Sequence, residues 1–254
     1  MGLTLAPFFF THGQTVSATS ADIIQSDLSR LTKSLDLVNA IKAGKRPIDA
    51  TALQTALNTV ISISEEEVRS VSTLLAAHDG LSDDERAVRD SIITDIINLK
   101  SRIKSVRADT TQEAGASAVI SIAQKFKEWR DGPYAATMAR AVRFLGVFEN
   151  ENAIQAANAR LAAIVKDEKK IRALLPGTKS APFMSLRKKA HGELKKAADL
   201  NARAKAVIIT GSDAEETEET QENDANADEM IRQSFTLVNA AYDDFIGMSK
   251  LIRK

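Results

Sequence analysis

The residue types that do chemistry are sparse in this chain, and their spacing does not suit it. The three histidines, His12, His78 and His191, lie far apart, and none forms an i, i+4 ligand pair. His191-Gly192-Glu193 matches the H-x-E half of a zinc-deaminase signature, but the other half requires cysteine and the chain has none. The lack of cysteine also excludes a disulfide framework, thiolate-bound zinc, iron–sulfur clusters and thiol catalysis. A di-iron centre in a helical bundle needs E-x-x-H on two helices, and that motif does not occur. Glu65-Glu66-Glu67 and Asp83-Asp84-Glu85 read as acids at helix starts rather than as ligands. Asp213, Asp224 and Asp228 lack the calcium-loop pattern, and no phosphate-cradling or nucleophile-elbow glycine motif is present. These residues predict a non-enzymatic protein with no catalytic residue, no metal and no cofactor.

The strongest remaining signal is charge. Residues 166–205 carry twelve Lys or Arg against four acids, whereas residues 212–229 carry nine acids and no basic residue. The net charge of zero hides this contrast. Arg187, Lys188, Lys189, Lys195, Lys196, Arg203 and Lys205 fill the polar arc of one amphipathic segment. Such an arc attracts an anionic surface, either phospholipid headgroups or nucleic-acid phosphates. Lipid is the better fit, because base stacking needs interleaved aromatics and only Phe183 lies near this arc. Nucleic acid is therefore the disfavoured partner. The acidic segment, 212–228, lacks apolar periodicity and repels itself, so it is expected as a flexible loop, able to screen the basic arc intramolecularly.

The elements positioning these residues are helical. Of the 254 residues 44% are hydrophobic and 5% aromatic, so the core rests on aliphatic packing. Seams at spacings of three and four run through Ile24–Val38, Leu53–Leu75, Val88–Val106, Val119–Trp129, Met138–Leu175, Leu186–Ile208 and Ile231–Ile252. Ser82 to Glu85 spells a capping box, and Gly80 marks the end of the preceding helix. Asp131-Gly132-Pro133 reads as one helix ending and the next beginning, Glu149 to Asn152 as a second candidate joint, and 178–181 as a loop before Pro182. The fold expected is all-α: an elongated antiparallel bundle of six to eight helices, several long, forming one domain over 1–254. Residues 1–18 form an apolar N-terminal arm. The arm has no basic residue before Arg30, so it does not read as a signal peptide, and Leu5, Phe8, Phe9 and Phe10 are its candidate insertion residues for a membrane or partner. No stretch reaches the roughly 20 apolar residues of a membrane-spanning helix, so a soluble protein is expected, cytoplasmic or secreted.

Two functions follow as expectations. The first is a helical bundle acting through membrane-surface or protein–protein contacts. One version is a component of an α-helical pore-forming or membrane-remodelling system, with 3–10 and 116–122 as convertible elements. The second is a bundle binding an apolar small molecule or lipid between alanine-rich faces at Ala156-Ala157, Ala162-Ala163 and Ala197-Ala198. Sustained seams also admit self-association.

Overall fold

The computed structural model of the chain describes residues 50–112, 115–210 and 218–253. The described residues are almost wholly helical and contain no strand. In order they form α1 (Ala50–Ala76), α2 (Asp83–Gln112), α3 (Ala116–Trp129), a π-helical turn (Arg130–Tyr134), α4 (Ala135–Leu174), α5 (Gly177–Thr210) and α6 (Glu218–Arg253). The arm at 1–18, with Leu5, Phe8, Phe9 and Phe10, lies outside the described residues, as do the first seam and residues 211–217.

Local signals explain the connection from α1 to α2. Gly80 adopts φ +77°, the left-handed conformation that a glycine accepts without strain. Ser82 and Glu85 then complete the capping box: the Ser82 amide donates to Glu85 Oε2 at 2.7 Å, and the Glu85 amide donates to Ser82 Oγ at 3.3 Å. The α2 seam is buried throughout, from Val88 through Ile92, Ile96, Leu99 and Ile103 to Val106.

Three expected breaks are absent. Pro133 sits inside a continuous helical run, which widens into the π turn there. Proline lacks an N–H and crowds the carbonyl four residues back, and one wide turn accommodates both defects. Asn150 does not divide α4, because it is buried and hydrogen-bonded to Asn201. The helix α5 begins at Gly177, so 178–181 is helical and Pro182 lies within it.

The described helices cluster into two compact units. The first comprises residues 50–70 and 96–135. Here Arg107 on α2 reaches Ser62 and Glu65 on α1, and Gln54 on α1 donates to the Thr110 carbonyl on α2. As numbers rise on one helix they fall on the other, so the two are antiparallel. Tyr134, buried beside Trp129, donates from its hydroxyl to Glu67 Oε2 at 2.6 Å. Burial and the adjacent carboxylate push that phenol well above its ordinary pKa.

The second unit comprises residues 71–95 and 136–253. Contacts of α5 with α6 fall at 179–251, 186–247, 189–244 and 197–234, an antiparallel register. The pairs 147–201, 151–205 and 168–187 set α4 antiparallel to α5 in the same way. Between α4 and α6 the pairs 143–224, 146–231 and 160–242 keep a near-constant offset, so these two run parallel. Their shared core contains Ile154, Ala157, Leu161, Phe183, Leu194, Val238, Phe245 and Met248. Ala157 and Ala197 are fully buried in it, where small side chains let helices approach closely. On α4 the buried face runs through Ala141, Phe144, Leu145 and Phe148, which leaves Val142 of the expected seam 57% exposed.

The acidic segment departs from the loop expectation. From Glu218 onward it is the first part of α6. Arg143 of α4 holds Asp224 at 2.5 Å and Asp228 at 3.0 Å, one helical turn apart, and Ala227 between them is fully buried. A cation remote in sequence thus offsets the repulsion that reads locally as disorder.

Candidate anionic-surface site on α5

Helix geometry sorts the seven predicted cations into two groups. Arg187 is bound to Glu168 of α4. Lys189 bridges Asp244 of α6 at 3.0 Å and Glu193 at 3.3 Å. Lys205 is clamped between Glu85 at 2.6 Å and Glu151 at 2.9 Å, with its ammonium 4.6 Å from the Phe148 ring centroid. These three are engaged by carboxylates of neighbouring segments, although Lys189 keeps 59% of its side chain exposed. Phe183, the one aromatic near the arc, is fully buried and can stack on no ligand.

Lys188, Lys195, Lys196 and Arg203 form the second group. All four are exposed, and none has an ion-pair or hydrogen-bond partner among the described residues. At 100° per residue they occupy an arc of roughly 100°, over a rise of about 22 Å. Asp199 is the one acid within that arc. The described part of the acidic segment engages α4 through Arg143 rather than these cations. The stripe presents four positive charges in open solvent, a geometry suited to attracting phosphate groups and not to bond-making.

The cluster around Lys189 was only partly visible in the sequence. Glu193 and Asp244 both face its ammonium, and Asp244 is 4% exposed. Glu193 Oε2 and Asp244 Oδ2 are buried without a conventional partner, an arrangement that one proton shared between the two carboxyl groups satisfies. Burial pushes the Glu193 carboxyl above its ordinary value, and the Asp244 charge adds to this against the pull of Lys189. A carboxyl raised in the folded state lends stability that is complete below its unfolded value near 4.5 and is lost as pH rises through the folded value. Glu193→Gln, which mimics the protonated form, is expected to stabilise the protein by about 1 kcal/mol at pH 7.5. The gain should shrink at pH 5, as read by chemical denaturation. A loss of stability at pH 7.5 would refute the shared-proton arrangement. The i, i+4 spacing of Lys189 and Glu193 was a legible hint; Asp244, on another helix, was not.

Of the remaining candidates, His191 is exposed on α5 and His12 lies outside the described residues. His78 packs edge-on to Phe148 with centroids 5.3 Å apart. Among the described residues no three His, Asp or Glu side chains converge on a point where a metal could bind. Glu65, Glu66 and Glu67 pair with Arg107, Arg69 and Arg130. The 116–122 element forms the start of α3, with Val119 buried. Among the described residues no helix is long and apolar enough to cross a membrane. Comparison with protein-family models, curated proteins and solved structures yields no match to the chain.

Proposed function

We propose that this chain is a non-enzymatic helical bundle that acts by attaching through α5 to an anionic membrane surface. The observation carrying this reading is the stripe of Lys188, Lys195, Lys196 and Arg203, exposed along one arc with no partner among the described residues. Arg187, Lys189 and Lys205 of the same helix are engaged by carboxylates, so these four contrast with them. Each basic side chain near an anionic leaflet contributes about 1 kcal/mol of attraction, and together they suffice for reversible attachment. A role in pore formation or membrane remodelling would require a further apolar element, for which the arm at Leu5 to Phe10 is the candidate. The alternative of an apolar-ligand bundle has weaker support, because Ala157 and Ala197 lie fully buried in the shared core of α4, α5 and α6.

The test is sedimentation of the full chain with phosphatidylcholine vesicles, with and without phosphatidylserine. Binding is expected only to the anionic vesicles and is expected to weaken steeply between about 50 and 300 mM salt, as the Debye length shortens. Replacing Lys188, Lys195, Lys196 and Arg203 together by glutamine should lower affinity at least tenfold. Absence of binding by the unaltered protein to anionic vesicles removes the reading and leaves a protein partner as the stripe's counterpart.

A further inference from the structure

A second cationic region, apart from the α5 stripe, lies near the end of α4. An open groove of about 590 Å³ there has Lys166, Lys169, Arg172, Gly177 and Ser180 in its lining. The three cations recur at every third position of α4, so they span an arc of about 120° over a rise of about 9 Å. At that spacing they are neighbours on one face. The one acid of the lining, Glu168, is bound to Arg187 and lies 3.8 Å from Arg172. Lys166 and Lys169 are exposed, with no carboxylate partner among the described residues. The helix dipole does not account for them. Its effect is confined to the last turn, which contains Arg172 but neither lysine. The Ser180 hydroxyl also makes no hydrogen bond among the described residues.

We propose that this groove binds a small polyanion carrying two or more phosphate groups. Three cations in a row enclose two gaps, each flanked by positive charge, and one phosphate fills each gap. Charge complementarity supports the class of ligand. Two phosphates carry roughly −3 to −4 at neutral pH, matching the three cations left once Arg187 offsets Glu168. Arg172 supplies a planar fork that meets phosphate oxygens in pairs, while the lysines act as point charges. Gly177 is the first residue of α5, and amides at a helix start favour anions. A Cβ at Gly177 would meet nothing within 4 Å, so that stretch of backbone is open to a ligand. The phosphates can belong to a free molecule or project from a lipid headgroup, and the recognising chemistry is the same. The inference goes beyond the surface attachment above, because it needs no bilayer.

Titration calorimetry of the full chain with inositol trisphosphate tests the site, and one molecule is expected to bind per chain. The triple change Lys166→Gln, Lys169→Gln, Arg172→Gln should lower the affinity at least tenfold. It should leave the urea midpoint unchanged, because all three side chains are exposed. Ser180→Ala should lower the affinity about threefold. Glutamine at the four stripe positions should lower it by less than about twofold. Equal losses from the groove and stripe changes, or equal affinity for citrate, would reduce the binding to general attraction between charges and overturn the site. A check that needs no variant is the movement of backbone amide resonances across 166–180 on adding the trisphosphate. Shifts confined to 188–203 would likewise overturn the groove. Vesicles assign the source of the phosphates. Preference for phosphatidylinositol bisphosphate over phosphatidylserine at equal surface charge, removed by the triple change, supports a lipid headgroup. Absence of that preference, with the free trisphosphate bound, supports a soluble ligand. No binding of the trisphosphate, beside intact binding to phosphatidylserine vesicles, would overturn the groove and leave the stripe standing. The reverse result would remove the surface attachment and leave the groove.

Discussion

Phe183→Ala is expected to lower the unfolding free energy by about 3–5 kcal/mol, the largest effect of any single change described here. The ring is fully buried, in the cluster that includes Phe245 and Met248 of α6. The α5–α6 register sets residue 183 opposite the end of α6, and the α4–α5 register sets it opposite the Ile171 region. One side chain thus fills the space among three helices close to the α4–α5 corner. Truncation leaves a cavity that long helices cannot close by a small shift, so the cavity cost adds to the lost transfer energy. Phe183→Leu, which keeps most of the volume, should cost about 1 kcal/mol. Leu174→Ala, nine residues away in sequence but in solvent, should change stability by less than about 0.5 kcal/mol. Urea denaturation of the three variants checks the ranking. A Phe183→Ala loss no larger than that of Leu174→Ala would mean that the three helices do not meet as described.

Phe183 also shows where the sequence was readable and where it was not. As a bare letter beside a basic arc it was the one candidate for stacking on a ligand. Its burial depends on residues some sixty positions later, and local periodicity does not contain that information. The seams themselves were legible because 3.6-residue spacing is a local property: every α2 position named from spacing is buried, and the Ser82–Glu85 box forms. The misplaced boundaries share one cause. Asn150, Pro133 and the acids at 224 and 228 each look like breaks when only neighbours are counted. In the fold, Asn201 accepts a hydrogen bond from the first, a π turn absorbs the second, and Arg143 neutralises the third. The candidate site followed the same pattern. Helical azimuth located the α5 cations, but which of them remain free depends on Glu168, Asp244, Glu85 and Glu151, all on other helices or turns.

Lys205 makes that last distinction measurable. Its side chain is 23% exposed, and it links Glu151 on α4 and Glu85 on α2 while resting on the Phe148 ring. Lys205→Met keeps the aliphatic stem and removes the charge. The Glu85 side chain, 12% exposed, then remains in a poorly hydrated site without its cation, at an expected cost of about 2 kcal/mol at pH 7. The pH dependence identifies the cause. Burial pushes the Glu85 carboxyl up, but hydrogen bonds from Lys205 and Ser82 outweigh it and hold it below its ordinary value. A carboxyl lowered in the folded state lends stability that is present above about pH 4.5 and is lost as pH falls through the folded value. Without Lys205 the carboxyl loses one of the two partners that hold it down and moves upward, so protonation relieves the variant before it affects the parent. The stability gap should therefore be widest near pH 7 and narrow towards pH 4, and Glu85→Gln on the Lys205→Met background should recover part of it. Vesicle affinity should stay within about twofold of the parent, because this ammonium is engaged internally. A gap that does not vary with pH, or a tenfold loss of vesicle binding, would return Lys205 to the membrane-facing set and break the division of the α5 cations into structural and exposed groups.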